Sequence, residues 1–184
     1  MQNDNKDMPD KTIKAVIGLG NPGPRYYNTR HSIGFRIIDE LAQRHGGMWE
    51  QKGEMELASI NLGGKKCTLI KPQTYMNASG RIIPALLKKG IRAENILVVH
   101  DELELPFGVL RFKDGGSHRG HNGLRSIIEA CGKEFLRLRF GTDRPEQREE
   151  VPHYVLEKFD QPEDEIAKRI EAAADMIEEF CNTH

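Results

Sequence analysis

A chain of 184 residues with 38% hydrophobic and 30% charged side chains has the composition of one soluble domain, long enough to bury a core without crosslinks. The cysteines Cys67, Cys131 and Cys181 stand 64 and 50 residues apart, which excludes a CxxC pair or a local zinc knuckle and fits a reducing cytosol. The formal net charge of −1 hides a division: residues 1–148 hold 24 basic and 17 acidic side chains, residues 149–184 hold 3 and 11, so only the body is suited to face a polyanion.

Residues 1–11 are polar and are expected to form a disordered tail, followed by a single domain over residues 12–184. Nothing there has the apolar core of a signal peptide, and no segment approaches the roughly 20 apolar residues of a membrane helix, so a cytoplasmic protein without a membrane partner is expected. Residues 13–19 (IKAVIGL) read as a short buried strand closed by Gly and Pro through Pro24. Ile33, Ile37, Ile38, Leu41 and Ala42 recur at helical spacing until Gly46 and Gly47 stop the run. Residues 54–60 and 66–70 are strand candidates around Gly63-Gly64, the pattern of a hairpin. Residues 78–89 place Ile82, Ile83, Leu86 and Leu87 on one helical face, with Gly90 behind them.

The continuously apolar residues 96–99 mark a central parallel strand, expected to end at His100-Asp101. Residues 108–113 are a further strand candidate, followed by a glycine-rich loop over residues 114–123 and a helix carrying Leu124, Ile127 and Ile128. Residues 135–140 (FLRLRF) alternate apolar side chains with Arg137 and Arg139, which predicts a half-buried strand near a sheet edge. A last helix is expected over about residues 163–181, with Ile166, Ile170, Ala173, Ala174 and Ile177 on one stripe. Strands alternating with helices predict an α/β fold: a single-domain three-layer α/β sandwich with a mostly parallel mixed sheet and flanking helices.

Gly18-Leu19-Gly20-Asn21-Pro22-Gly23 fits the G-x-G-x-x-G fingerprint of dinucleotide binding and follows a predicted strand. Two features oppose that reading. Pro22 and Pro24 lack the amide donors a pyrophosphate needs, and the helical pattern begins only near Ile33. The acid expected about 20 residues on would be Asp39 or Glu40, both inside that helix rather than at a strand end. The glycines are instead expected to let the chain turn sharply and to set Asn21 over a cleft, so no cofactor is expected.

Polar side chains gather at the predicted strand ends: Asn21, His31, Asn77, Asp101 and the pair His121-Asn122. A histidine beside a carboxylate is a general-base arrangement, in which the carboxylate fixes the tautomer and the other ring nitrogen takes a proton from water. The pattern leaves open which histidine meets Asp101. Asparagines suit the orientation of a carbonyl and a water without adding charge. Each residue alone also fits a turn, a cap or a helix start. His100 is expected to pack beside the central strand. The sequence has no HExxH, and His118 with His121 has no cysteine nearby, so no metal is expected; without a G-x-S-x-G elbow, the expected nucleophile is water.

Four stretches, GLGNPGPRYYNTRHSIG (18–34), KPQTYMNASG (71–80), HDELELPFG (100–108) and GGSHRGHNGLRSI (115–127), together resemble bacterial peptidyl-tRNA hydrolase in order and spacing. The resemblance implies hydrolysis of the ester between a peptide and the terminal ribose of tRNA, with peptidyl-tRNA as the partner, by a soluble, usually monomeric and metal-independent enzyme. It implies His31 as the base, Asp101 as its partner, and Asn21 and Asn77 as the residues that orient water and substrate. Tyr26, Tyr75, Met76, Asn77, His121 and Asn122 would line the substrate pocket, with His121 the weaker candidate for a direct role. Lys113 resembles a family lysine used for the acceptor end; Arg111, Arg119 and Arg125 join it as phosphate contacts on local charge. Three departures stand out: Ser32 where the family usually has Asn, with serine expected to cap the following helix; Arg119 at a position often held by Gly; and RFGTDRP over 139–145. A non-catalytic RNA-binding relative would tolerate loss of His31 or Asp101, and both are present.

Overall fold

Two apolar strands, β1 (Ala15–Gly18) and β5 (Ile96–Glu102), lie at the centre of the sheet, where neighbours on both faces bury nearly every side chain. The structure, a computed structural model, describes residues 8–184. Residues 1–7 of the expected tail lie outside the described residues; beyond them Met8 rests against the core and Lys11 pairs with Asp114. The other strands are β2 (Glu50–Lys52), β3 (Met55–Leu62), β4 (Lys65–Pro72), β6 (Leu110–Asp114) and β7 (Leu136–Gly141), in the order β2-β3-β4-β1-β5-β7-β6. β4, β1, β5 and β7 run parallel, and antiparallel strands border them on both sides. The parallel part of the mixed sheet is thus its four central strands.

The β3-β4 hairpin turns through Gly63 and Gly64, whose φ of 61° and 77° suit the two-residue connection between Leu62 and Lys65. Helices α1 (Ile33–Arg44) and α5 (Glu163–Thr183) cover one sheet face. Ile37, Leu41, Ile177 and Phe180 are fully buried there, each worth about 1.5–3 kcal/mol of hydrophobic stabilisation. The other face packs Ile17, Val98 and Phe135 against α2 (Ile83–Lys88) and α3 (Asn122–Cys131).

Three expectations are corrected. The pattern over residues 78–89 is not one α-helix: a 3-10 turn over Met76–Ile82 precedes α2. Ser79 Oγ donates to Met76 O at 2.8 Å within that tight turn, and Pro84 near the start of α2 lacks the donor that would continue an earlier helix. The central strand does not end at His100-Asp101, because pairing with β7 carries it through Glu102. β7 lies near an edge as expected, one strand in from β6, but it is not half-buried: Arg137 is 2% exposed. Its Nη1 donates to Ser117 O at 2.8 Å and its Nη2 to Gly116 O, so the glycine-rich loop takes the place of water.

The first glycine motif works mainly by close approach. A Cβ on Gly18 would lie 2.4 Å from Gly34 O, and one on Gly34 would lie 2.4 Å from Val99 O. Gly23 alone among the motif's glycines has the positive φ that a sharp turn demands. The start of α1 is thereby pressed onto β1 and β5, which sets His31 beside the end of β5.

Candidate active site

His31 lies on the 3-10 turn Arg30–Ser32, and Asp101 lies on β5. His31 Nδ1 is 2.9 Å from Asp101 Oδ2 and 3.1 Å from Oδ1. His121, at the N-cap of α3, places Nε2 2.9 Å from Oδ1 of the same carboxylate. Its Nδ1 accepts from the backbone amides of Gly123 (3.1 Å) and Leu124 (3.3 Å), so neutral His121 carries its proton on Nε2 and donates to Asp101. Asp101 therefore receives two imidazole N–H groups. Burial alone pushes its carboxyl up, but the two histidines outweigh burial and hold it well below the usual carboxylate range. With Nδ1–H of His31 committed to this carboxylate, Nε2 is left as a proton acceptor.

Donor atoms of His31, Asp101 and His121 lie within 4.8 Å of one another, close enough for a metal. The hydrogen bonds oppose one: a metal on His121 Nε2 would need the proton moved to Nδ1, where two backbone N–H groups already point.

Asn21 is buried and engaged on two sides. Its Oδ1 accepts from Met76 N at 2.8 Å, leaving the side-chain NH₂ as a donor. Its backbone N donates to Ser32 Oγ at 3.1 Å. Ser32 precedes α1 but makes no side-chain cap, which corrects the expected capping role: its hydroxyl holds the Asn21 loop instead. Met76 is buried against Gly123, where a Cβ would come within 2.5 Å of its sulfur. Asn77 and Tyr75 are exposed beside it, Asn122 is exposed at the start of α3, and Tyr26 is half-buried in the loop that follows Asn21.

A cavity of about 550 Å³ opens beside His31 and Asp101. Lys113 and Arg119 line it, whereas Arg111 and Arg125 do not. Arg119 has a φ of 45°, a conformation that favours glycine, and it puts a cation on the cavity. Arg137, Arg139 and His100 also line the cavity. The sequence reading missed the two arginines as site residues; the signal was the FLRLRF alternation, in which Leu136, Leu138 and Phe140 enter one core while the arginines face the other side. Burial, then repulsion from Arg119, Arg139 and Arg137, lowers the pKa of Lys113, and Glu102 opposes the shift. Such crowding of cations favours an anionic ligand. His100 is pushed down to about 3 by burial and by His121, so it is neutral; its Nδ1 donates to Asp101 O at 2.8 Å. Among the described residues, Nε of both arginines and Nε2 of His100 are buried without partners.

The family model for peptidyl-tRNA hydrolase matches residues 15–184. A peptidyl-tRNA hydrolase of Alkalilimnicola ehrlichii is 46% identical, over 94% of this chain and 90% of the relative. One from Listeria innocua is 45% identical, over 93% and 95%. A solved peptidyl-tRNA hydrolase from Acinetobacter baumannii superposes with a TM-score of 0.79 at 34% identity, covering 94% of this chain and 95% of that one. The shared sequence spans both the histidine-carboxylate cluster and the cavity beside it, and the chain belongs to the peptidyl-tRNA hydrolase family.

Proposed function

We propose that the chain performs its family's reaction as follows: hydrolysis of the ester joining a peptide, or an N-blocked aminoacyl group, to the 3′-terminal ribose of tRNA, with His31 as general base. The observation that carries this is the commitment of His31 Nδ1 to Asp101, which leaves Nε2 free to accept. A water gives its proton to Nε2 as its oxygen attacks the ester carbonyl. The bond from the acyl carbon to the ribose oxygen then breaks, and the proton returns from His31 to that oxygen. Peptide acid and tRNA leave. Asp101 stabilises the imidazolium between the two steps.

The spare NH₂ of Asn21 donates to the developing oxyanion, and exposed Asn77 orients the water or the peptide. Tyr26, Tyr75, Met76 and Asn122 contact the acyl group and the terminal nucleotide. His121, with both ring nitrogens engaged, contributes a ring surface and holds Asp101. Lys113 and Arg119, joined by Arg139, meet phosphates, and Arg111 and Arg125 act as outer contacts from beyond the cavity. The enzyme works as a cytoplasmic monomer without metal. Among the described residues, no helix is long and apolar enough to cross a membrane.

The test is release of tRNA from N-acetyl-aminoacyl-tRNA in EDTA, comparing the wild type with His31→Ala. Release by the wild type that falls about 10²-fold or more in the variant is expected for a lost general base. Absence of wild-type release despite tRNA binding would identify a non-catalytic RNA-binding protein. Release only after metal is restored would refute the metal-free mechanism. Sedimentation at the 20.9 kDa mass of one chain tests the monomer.

A further inference from the structure

Arg30, next in sequence to His31, is 2% exposed, an unusual place for a guanidinium. Every partner of its side chain lies in one segment. Nη1 donates to Tyr154 O at 2.9 Å, Nη2 donates to Asp160 Oδ2 at 3.0 Å, and Glu157 Oε2 lies 3.6 Å from Nη1. The guanidinium carbon is 3.8 Å from the centre of the Tyr154 ring. Backbone bonds follow the same path: Arg30 N donates to Glu157 O at 3.0 Å, His31 N donates to Val155 O at 2.8 Å, and Thr29 bridges to Lys158. Tyr154, on the short helix α4 (Val151–Tyr154), in turn donates its hydroxyl to Thr142 O at 2.5 Å.

Val151, Pro152 and Val155, on and beside α4, form an apolar wall of the cavity next to His31. The preceding residues 143–150 are mostly exposed, and Asp143 has a φ of 60°. That stretch packs little of its own surface, so the wall depends on its anchors at Thr142, at Arg30 and at the His31 amide that donates to Val155 O. Asp160 and Glu157 are largely exposed, and ion pairs to such carboxylates hold little. The planar stack on Tyr154 and the bond to its carbonyl are the geometrically specific part, and only a guanidinium supplies both at once.

We infer that Arg30 is a positioning residue which, with Tyr154, fixes the Val151-Pro152-Val155 wall against His31 and thereby sets how well large apolar acyl groups fit. The inference rests on the ester-hydrolase reading for its substrate. Arg30 touches neither the reacting nitrogen nor the ester; it acts through the wall. Its loss therefore weakens binding of acyl groups that reach the wall and spares those that do not.

The test compares N-acetyl-phenylalanyl-tRNA with N-acetyl-glycyl-tRNA for the wild type, Arg30→Lys, Tyr154→Leu and the double variant. Each single change is expected to raise KM for the phenylalanyl substrate about tenfold, to move KM for the glycyl substrate less than about twofold, and to leave kcat within about threefold. The double variant is expected to be no worse than about twice the poorer single one, because both substitutions break one unit. Hydrogen exchange is expected to quicken over residues 143–156 in both single variants and to stay unchanged in β1 and β5. Tyr154→Phe keeps the stack, loses only the bond to Thr142, and should lie between wild type and Tyr154→Leu, which guards against a variant that fails to fold. Equal KM changes for the two substrates, additive losses, or exchange that rises across the whole sheet would overturn the inference. A wild type inactive on both substrates would refute the ester-hydrolase reading, and the exchange pattern would still decide whether the anchor exists.

Discussion

Asp101→Asn replaces one oxygen of the central carboxylate by NH₂ at almost unchanged volume, and the hydrogen bonds around it dictate the outcome. His121 cannot adapt, because its Nδ1 accepts from the amides of Gly123 and Leu124 and its proton must stay on Nε2. That proton needs an acceptor, so the new side chain must turn its single oxygen toward His121, where Oδ1 of Asp101 now sits 2.9 Å away. Its NH₂ then faces His31 Nδ1, at the 2.9 Å now spanned by Oδ2. Two donors at 2.9 Å repel, which outweighs the longer 3.1 Å contact of Nδ1 with the retained oxygen and favours the other tautomer of His31, with its proton on Nε2, the nitrogen that should accept from water. The base is lost with the fold intact. General-base loss spans about 10²–10⁴ in rate, or roughly 3–5 kcal/mol of barrier. The assay is single-turnover release of tRNA from N-acetyl-aminoacyl-tRNA, with far-UV circular dichroism to show the fold. Adding His121→Phe removes the competing donor, frees the amide oxygen for His31 Nδ1–H, and should recover about tenfold of the activity lost. A single variant within about threefold of wild type, or a double variant slower than the single, would refute the tautomer argument.

Three further outcomes follow from the same geometry. His100 is held neutral, with its pKa down at about 3 against about 6.5 in an unfolded chain, so only the unfolded state binds its proton between those values. Its share of stability is complete above about pH 6.5 and falls by up to about 1.4 kcal/mol per unit as pH drops toward 3, while the depressed Asp101 adds its loss only below about pH 4; a urea midpoint that falls as steeply for His100→Gln as for wild type would contradict this. Lys113→Glu should raise KM for tRNA substrates about tenfold and lower the salt slope by about one, with N-blocked aminoacyl-adenosine hydrolysed as before; an unchanged salt dependence would remove Lys113 from the phosphate contacts. Gly34→Ala, whose Cβ would meet Val99 O at 2.4 Å and Leu19 N at 2.5 Å, should cost about 1–3 kcal/mol and lower Tm by several degrees, and an unchanged melt would refute the close-contact role.

The order of elements was legible because each strand or helix carries its own period and stop signals, as at Gly63-Gly64 and in the stripe Ile166, Ile170, Ala173 and Ile177. Harder to read was anything decided by what a side chain meets across the fold. Arg137 has the alternation of a solvent face, and the return of the glycine-rich loop over β7 buries it, while Arg139 beside it stays partly exposed. Ser32 has the position of a cap and uses its hydroxyl on Asn21, eleven residues back in the chain. Gly18 and Gly20 sit in a turn-like motif, yet their hydrogens leave room for Gly34 and the Phe35 ring. For the site, strand-end reasoning gathered the polar residues but left open which histidine meets Asp101, and the pairing with His31 was implied by the family resemblance alone. The second imidazole on the same carboxylate, and the tautomer it imposes, depend on the amides at the start of α3, which no local pattern reveals.

The acidic C-terminal segment poses an electrostatic question that the packing answers. A net charge of −1 and a last helix rich in Glu and Asp argue against a polyanionic substrate only if those charges act on the same surface. They do not. α5 covers the sheet face occupied by α1, and three of its carboxylates are met there by arginines: Glu163 by Arg36, Asp175 by Arg44 at 2.7 Å, and Glu178 by Arg44 at 3.2 Å. Lys113, Arg137 and Arg139 face the cavity on the other side of the sheet. Two layer spacings of about 10 Å separate the two sets, which exceeds the Debye length of about 8 Å at physiological salt. An approaching phosphate therefore meets the cations of the cavity, with α5 more than a Debye length away on the opposite face and three of its carboxylates paired with arginines. The helix stabilises the body through its apolar stripe, and its acidity serves the contact with α1, so total charge says little about what the opposite face binds.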